Sequence, residues 1–417
     1  MTPASRSTPT DDSTTVSRHA LHALVASALG YAMDGFDLLI LGFMLPAIAA
    51  DLHLTPAQSG ALVTWTLAGA VAGGVVFGML SDYFGRVRVL TWTILLFAVF
   101  TGLCAFSRGY GDLLIYRTIA GIGLGGEFGI GMALVAEAWP ARLRARVSSY
   151  VGIGWQAGVL AAALITPLLL PVIGWRGMFA VGLLPAVVSF FVRRHVEEPV
   201  LFTERRAAVA NTEPATRKLP LKRLFDDART ARASLGVIIL CSVQNFGYYG
   251  LMIWLPSYLS KTFGYSLTKS GLWTAATVLG MAAGIWLFGV AADRFGRKPT
   301  FLVYQFGAVA MVFVYSNLSS PAALLIGGAV MGVFVNGMLG GYGALISEIY
   351  PTEARATAQN VLFNIGRAVG GLGPVAVGAL AARYSFALAL AFLASIYLLD
   401  VIATLFLIPE KRGAELE

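Results

Sequence analysis

Charge is scarce in this chain. Only 12% of its 417 residues are Asp, Glu, Lys or Arg, where a soluble chain would carry about a quarter. That shortage excludes an ordinary water-soluble domain. Cysteine is nearly missing as well: Cys104 and Cys241 are the whole supply, and both fall inside apolar runs, which argues against a disulfide framework or a thiolate metal site. The four histidines, His19, His22, His53 and His195, lie near span ends or in loops. With no Ser/His/Asp constellation and no cluster of metal-ligating residues, neither an enzyme nor a metal protein is expected.

Apolar length is what the chain has in quantity. Hydrophobic residues make up 57%, and runs such as 21–50, 59–80 and 89–106 reach the roughly 17 to 25 residues that cross a hydrocarbon core. Twelve spans are predicted, at 20–50, 59–80, 87–107, 112–138, 147–171, 174–193, 233–260, 269–291, 299–317, 321–348, 357–381 and 386–408. The first is too long, and its flanks too weakly basic, for a cleaved signal peptide. Residues 1–17 before it are Ser/Thr-rich and predicted disordered. The polar stretch 194–232 separates six spans from six. The expected architecture is an all-α integral membrane protein with twelve transmembrane helices in two six-helix bundles. The N-terminal bundle covers 1–193, the cytoplasmic linker 194–232 and the C-terminal bundle 233–417.

The two halves carry the same short charged loops at an offset of 211 residues. GMLSDYFGR, with Asp82 and Arg86, returns as GVAADRFGRK, with Asp293 and Arg297. EAWPARLR, with Glu137 and Arg144, returns as EIYPTEAR, with Glu348 and Arg355. Two pairs sharing one spacing point to tandem bundles descended from one unit.

Orientation follows from Lys and Arg. Loops on the side of the N-terminus hold 23 of the 30, ten of them in residues 193–232, and loops on the other side hold five. Both termini and the linker are therefore predicted cytoplasmic. The net charge of +8 then describes a surface facing lipid headgroups, and no nucleic-acid partner is expected.

Two arginines, Arg117 and Arg367, have no loop to sit in. Inside a span an ionised side chain must be paired, hydrated or in contact with substrate. Acids occur there too. Asp34 and Asp37, in YAMDGFDLL, lie one turn apart near the middle of span one. Two carboxylates that close hardly both stay ionised in low dielectric, so proton coupling is their simplest use; the alternative is a hydrogen-bonded helix contact. Gly35 between them serves either a close helix approach or a local break. Glu127, near the middle of the Gly-rich span four, is a further candidate proton carrier. It lies about 15 Å along the helix from Arg117, so each needs another partner. Arg117 is read as a gate, a tuner of a span-one carboxylate or a substrate contact. For both residues a structural ion pair stands beside the transport role. The G-x-G run of span four is no dinucleotide site, because the strand before it is missing.

Arg367 in span eleven presents five donors in a plane, suited to holding a carboxylate bidentately. The alternative is a standing pair with Asp34 or Asp37. Asn364 and the glycines around Pro374 mark that span for close packing and bending. In span seven, Gln244, Asn245, Tyr248 and Tyr249 interrupt an apolar run with hydrogen-bonding and aromatic groups that suit the body of an organic substrate. Trp155 and Gln156 in span five offer similar chemistry. Asp400 in span twelve has no assigned role.

The duplicated GxLaDxxGR loop and RTIAGIGLGG in span four resemble the signatures of the major facilitator superfamily, and with the twelve spans they cover nearly the whole chain. DGFD in span one and GR…GP in span eleven look like the aromatic acid/proton symporters, importers of acids such as 4-hydroxybenzoate. GGEFGIGMALVAEAWP with RARVSSYVGIGWQAG resembles the related sialate and lactate-type carboxylate symporters. The resemblance implies coupling positions at Asp34 and Asp37 and a carboxylate contact at Arg367. It implies rocking of the bundles about a midplane site, with Asp82, Arg86, Glu137 and Arg144, and Asp293, Arg297, Glu348 and Arg355, gating the cytoplasmic side. The expected activity is import of an organic carboxylate with protons through a bacterial inner membrane. The protein would act as a monomer in lipid, with the proton as coupling ion and no cofactor. A sugar or polyol symporter and a drug/proton antiporter are the competing readings.

Overall fold

The computed structural model describes residues 18–193, 196–210, 219–265 and 267–412. The disorder expected for residues 1–17, residues 211–218 of the linker and His195 lie outside them. Among the described residues the chain is helical, with no strand.

The first half opens with α1 (Arg18–Asp51), α2 (Pro56–Phe84) and α3 (Arg86–Cys104). The fourth crossing is built from α4 (Tyr110–Gly125) and α5 (Glu127–Ala138), interrupted at Gly126. Next comes α6 (Arg144–Arg193). Its 50 residues would run about 75 Å at the usual rise, more than twice a hydrocarbon core. It leaves helical geometry at Gly174 (φ 67°, ψ 176°) and so makes two crossings. Two short helices, α7 (Val200–Ala210) and α8 (Pro220–Arg223), lie in the stretch between the halves.

The second half repeats the plan with α9 (Ala228–Phe263), α10 (Leu267–Phe295) and α11 (Arg297–Ser316). Its fourth crossing is α12 (Pro321–Gly337) and α13 (Leu339–Ile349), interrupted at Met338, one residue past the counterpart of Gly126. Its fifth is α14 (Arg355–Gly370) and α15 (Gly373–Arg383), and α16 (Phe386–Phe406) closes the chain. The bend expected near Pro374 falls at Gly371 and Leu372. Eleven apolar stretches, with α6 crossing twice, make twelve crossings in two six-helix bundles.

Local chemistry explains where these helices start. Thr55 and Gln58 form a reciprocal cap ahead of Pro56 (2.9 and 3.2 Å), satisfying amides that have no helical acceptor. The turns into α3 and α11 pass through Gly85 (φ 114°) and Gly296 (φ 109°), backbone that a side chain resists. A carboxylate then covers each new helix start. Glu198 accepts from the amides of Arg86, Val87 and Arg88 (2.8, 3.0 and 3.1 Å), and Glu410 from those of Arg297 and Lys298 (3.2 and 2.8 Å).

The outer faces expose Val99, Leu168, Phe313 and Ile402 by more than half, a surface suited to lipid rather than water. Between the halves, α2 lies against α14 and α6 against α10. Gly78 admits Asn360 so closely that an added Cβ would lie 2.9 Å from it. Asn364 reaches the Gly125 carbonyl at 3.3 Å. Across the pseudo-twofold, Ser149 donates to the Gly340 carbonyl at 3.3 Å. Small residues therefore let the halves meet on the linker side. Gly35 serves close approach rather than a break: α1 runs unbroken, and a Cβ there would stand 2.6 Å from the Trp155 carbonyl.

Candidate functional site

Next to these interhalf contacts lies a small cavity lined by residues from both bundles. The first half supplies Tyr31 from α1 and Trp155 from α6. The second supplies Gln244, Asn245, Tyr248 and Tyr249 from α9, Asn336 from α12, Leu339 from α13, and Phe363 and Arg367 from α14.

An aromatic wall spans the halves. Tyr31 packs on Trp155 and Phe128 (ring centroids 5.1 and 4.9 Å), and Phe128 stacks on Phe363 at 3.9 Å. The Trp155 indole N–H donates to the Tyr248 hydroxyl at 3.3 Å, linking α6 to α9. Planar faces of this kind pack well against flat, unsaturated groups.

Arg367 brings the positive charge. It is buried, its guanidinium carbon lies 5.3 Å from the Trp155 ring centroid, and its Nε has no hydrogen-bond partner among the described residues. Tyr249, Tyr31, Asp34 and Tyr248 are among the groups that act on it electrostatically. No ion pair of the described residues includes it. The standing pair with Asp37 is not formed, because Asp37 is taken elsewhere.

The two span-one acids face different surroundings despite their spacing. Asp34 is fully buried one turn beyond Tyr31, near the cavity charge. Asp37 receives both terminal nitrogens of Arg117, at 3.0 and 2.7 Å, with both side chains buried. Phe179 flanks that pair, 5.7 Å from ring centroid to guanidinium carbon. Arg117 is thus committed to a carboxylate on α1 and is not among the residues that line the cavity. Glu127, in the first turn of α5, accepts from the Thr93 hydroxyl at 2.5 Å, also away from the lining. Asp400 is buried within the second bundle, and neither carboxyl oxygen has a hydrogen-bond partner among the described residues.

The charged residues of the duplicated loops form two clusters that are copies of one another at the 211-residue offset. Arg86 donates to Asp82 (2.9 Å) and to both oxygens of Glu137 (3.2 and 2.9 Å), and Arg355 crosses from the second half to the same Glu137 at 2.9 Å. In the copy, Arg297 holds Asp293 (2.9 Å) and Glu348 (3.1 and 2.7 Å), and Arg144 crosses from the first half to Glu348 at 3.0 Å. Asp82 also accepts from the amides of Ala356 and Thr357 (3.3 and 2.8 Å), and Asp293 from those of Ala145 and Arg146 (3.1 and 3.0 Å). Each aspartate therefore caps a helix start in the opposite half. Arg86 also packs against Phe202 of α7, at 4.6 Å. Outside the membrane, burial pushes the Glu198 carboxyl above its ordinary value, against the pull of the amides that it accepts.

Sequence reasoning reached Gln244, Asn245, Tyr248, Tyr249 and Arg367 in the lining, and gave Trp155 less weight. It missed Tyr31, Asn336, Leu339 and Phe363. Two of these had a signal: Tyr31 sits one turn before Asp34, and Asn336 is a lone amide in the apolar run AVMGVFVNGML.

A family model described as Major Facilitator Superfamily matches residues 27–289 and 258–416. A protein of Haemophilus influenzae named only for metabolite transport is 67% identical over 403 residues, covering 96% of this chain and 99% of its own. The cis,cis-muconate transport protein of Acinetobacter baylyi is 28% identical over 396 residues, 94% of each chain. The fold matches the proton:xylose symporter XylE with a TM-score of 0.79 at 20% identity, over 96% of this chain and 98% of that one; at that identity the likeness carries the fold alone. With the family model, the 67% relative and the twelve-crossing fold in agreement, the chain belongs to the Major Facilitator Superfamily and is a membrane transporter, not an enzyme.

Proposed function

We propose that this transporter imports a small organic carboxylate together with protons, by alternating access of the central cavity to the two sides of a bacterial inner membrane. Arg367 carries the reading: it is a buried guanidinium in a cavity walled by aromatic rings, with an Nε that no described residue satisfies. A fixed cation of that geometry in low dielectric favours a planar anion over a neutral ligand. The muconate transport protein, named for a carboxylate, supports the same class.

Asp34 is the coupling acid in this scheme, since its charge acts on Arg367, whereas Asp37 is bonded to Arg117 and Glu127 to Thr93. Its protonation lowers the cost of closing the bundles around an anion. Asp37 and Glu127 act through their partners, Arg117 and Thr93. The Asp82 and Asp293 clusters lock the cytoplasmic side while the cavity faces outward, and both termini and the linker face the cytoplasm. The unit of transport is the monomer, with 1–193 and 233–417 as the two rocking bodies and 194–232 as their tether.

The amides Gln244, Asn245 and Asn336 favour a sugar or polyol as the second reading. Proteoliposomes with an imposed inward proton gradient separate the two. The proposal expects accumulation of an acid from a panel of benzoate, 4-hydroxybenzoate, lactate and sialate, abolished by a protonophore. Accumulation of xylose alone would replace it with the sugar reading.

A further inference from the structure

Gln244 and Asn336 face each other across the cavity lining, one from α9 and one from α12, and both are almost completely buried. The Gln244 amide nitrogen donates to the Asn336 carbonyl at 2.6 Å. One hydrogen bond does not satisfy two primary amides. The Gln244 Oε1 and the Asn336 Nδ2 have no partner among the described residues. Turning both amides over exchanges which residue donates, yet one acceptor and one donor are again left over. The pair is therefore a donor and acceptor site whichever way the amides are assigned.

Leaving two such groups dry costs stability, and both stand in the wall of the cavity that holds Arg367. We infer that the amide pair is a second recognition point. On this inference, the substrate is a small planar acid whose body lies against the aromatic wall. Away from its carboxylate it carries a group that both donates and accepts a hydrogen bond, such as a hydroxyl or a carboxamide. The assignment rests on the carboxylate reading for Arg367 and sharpens it: an unsubstituted or purely apolar acid leaves the amides unmatched and is discriminated against.

Calorimetric titration of the purified full-length protein tests this with five acids: benzoate, 4-methylbenzoate, 3-hydroxybenzoate, 4-hydroxybenzoate and 4-carbamoylbenzoate. At least one hydroxy or carbamoyl acid should bind about tenfold or more tightly than 4-methylbenzoate, the factor expected of one matched buried hydrogen bond. Gln244→Met combined with Asn336→Leu should erase that difference. Should the double variant not fold, the wild-type series decides by itself. Equal affinities for the methyl, hydroxy and carbamoyl acids would overturn the amide inference and leave the carboxylate reading standing. Binding of none of the five acids would overturn the amide inference, and the carboxylate reading would then stand or fall on the lactate and sialate arms of the liposome panel.

Discussion

Replacing Arg355 by Gln tests the proposed gate at a contact that joins the two halves on the linker side. Arg355 is fully buried, and its Nη1 crosses to Glu137 at 2.9 Å. Removing one partner of a buried pair costs about 3–5 kcal/mol. Glu137 keeps both of its bonds from Arg86, so the loss belongs at the low end, about 3 kcal/mol. At 1.4 kcal/mol per factor of ten, the ratio of closed to open molecules falls by somewhat more than a hundredfold. Electron–electron resonance can read this between labels at Tyr83 on α2 and Phe295 on α10, both well exposed. Labelling is clean because the native Cys104 and Cys241 are buried. The Arg355→Gln protein should populate a longer distance that is nearly absent in the parent, and Arg144→Gln, its counterpart, should do the same. An unchanged distance distribution in both variants would refute the gate.

Other substitutions probe the remaining parts. Asp34→Asn should abolish proton-driven accumulation while preserving exchange of substrate across proteoliposomes; unaltered pH-driven uptake would remove Asp34 from coupling. Arg117→Leu alone should cost about 3–5 kcal/mol by stranding Asp37, whereas joining it to Asp37→Leu should recover much of that loss. Thermal unfolding in detergent compares the two, and equal destabilisation by single and double variants would contradict a pair that is mainly structural. Glu198→Ala removes the acceptor of three amides at the start of α3. It should lower stability by about 1–2 kcal/mol, read as a drop in melting temperature, with no change in substrate affinity.

Much of the fold was legible because lipid imposes it. Twenty-residue apolar runs must become helices, and their count survived even where α6 joins two crossings through Gly174. The two charge clusters were legible through repetition: Asp82, Arg86, Glu137 and Arg144 returned at a fixed offset, and the structure assembles both sets. Which partner each residue takes was not legible. Asp34 and Asp37 share a helix by spacing, yet a crossing from α4 brings Arg117 to Asp37 only. The cavity was half legible for a related reason. Arg367 and the span-seven amides and phenols are conspicuous in an apolar chain, whereas Phe363 and Leu339 look like any packing residue until six helices are placed around them. Asn336 gains meaning only from Gln244, 92 residues away.

The carboxylate contact at Arg367 is tested most directly by binding benzoate and its uncharged counterpart benzamide to the wild type and to Arg367→Gln. The wild type should prefer the acid, and the substitution should weaken the acid by about a hundredfold or more while leaving the amide nearly unaffected. Equal loss for both ligands, or an unchanged affinity for benzoate, would contradict an anion site at Arg367.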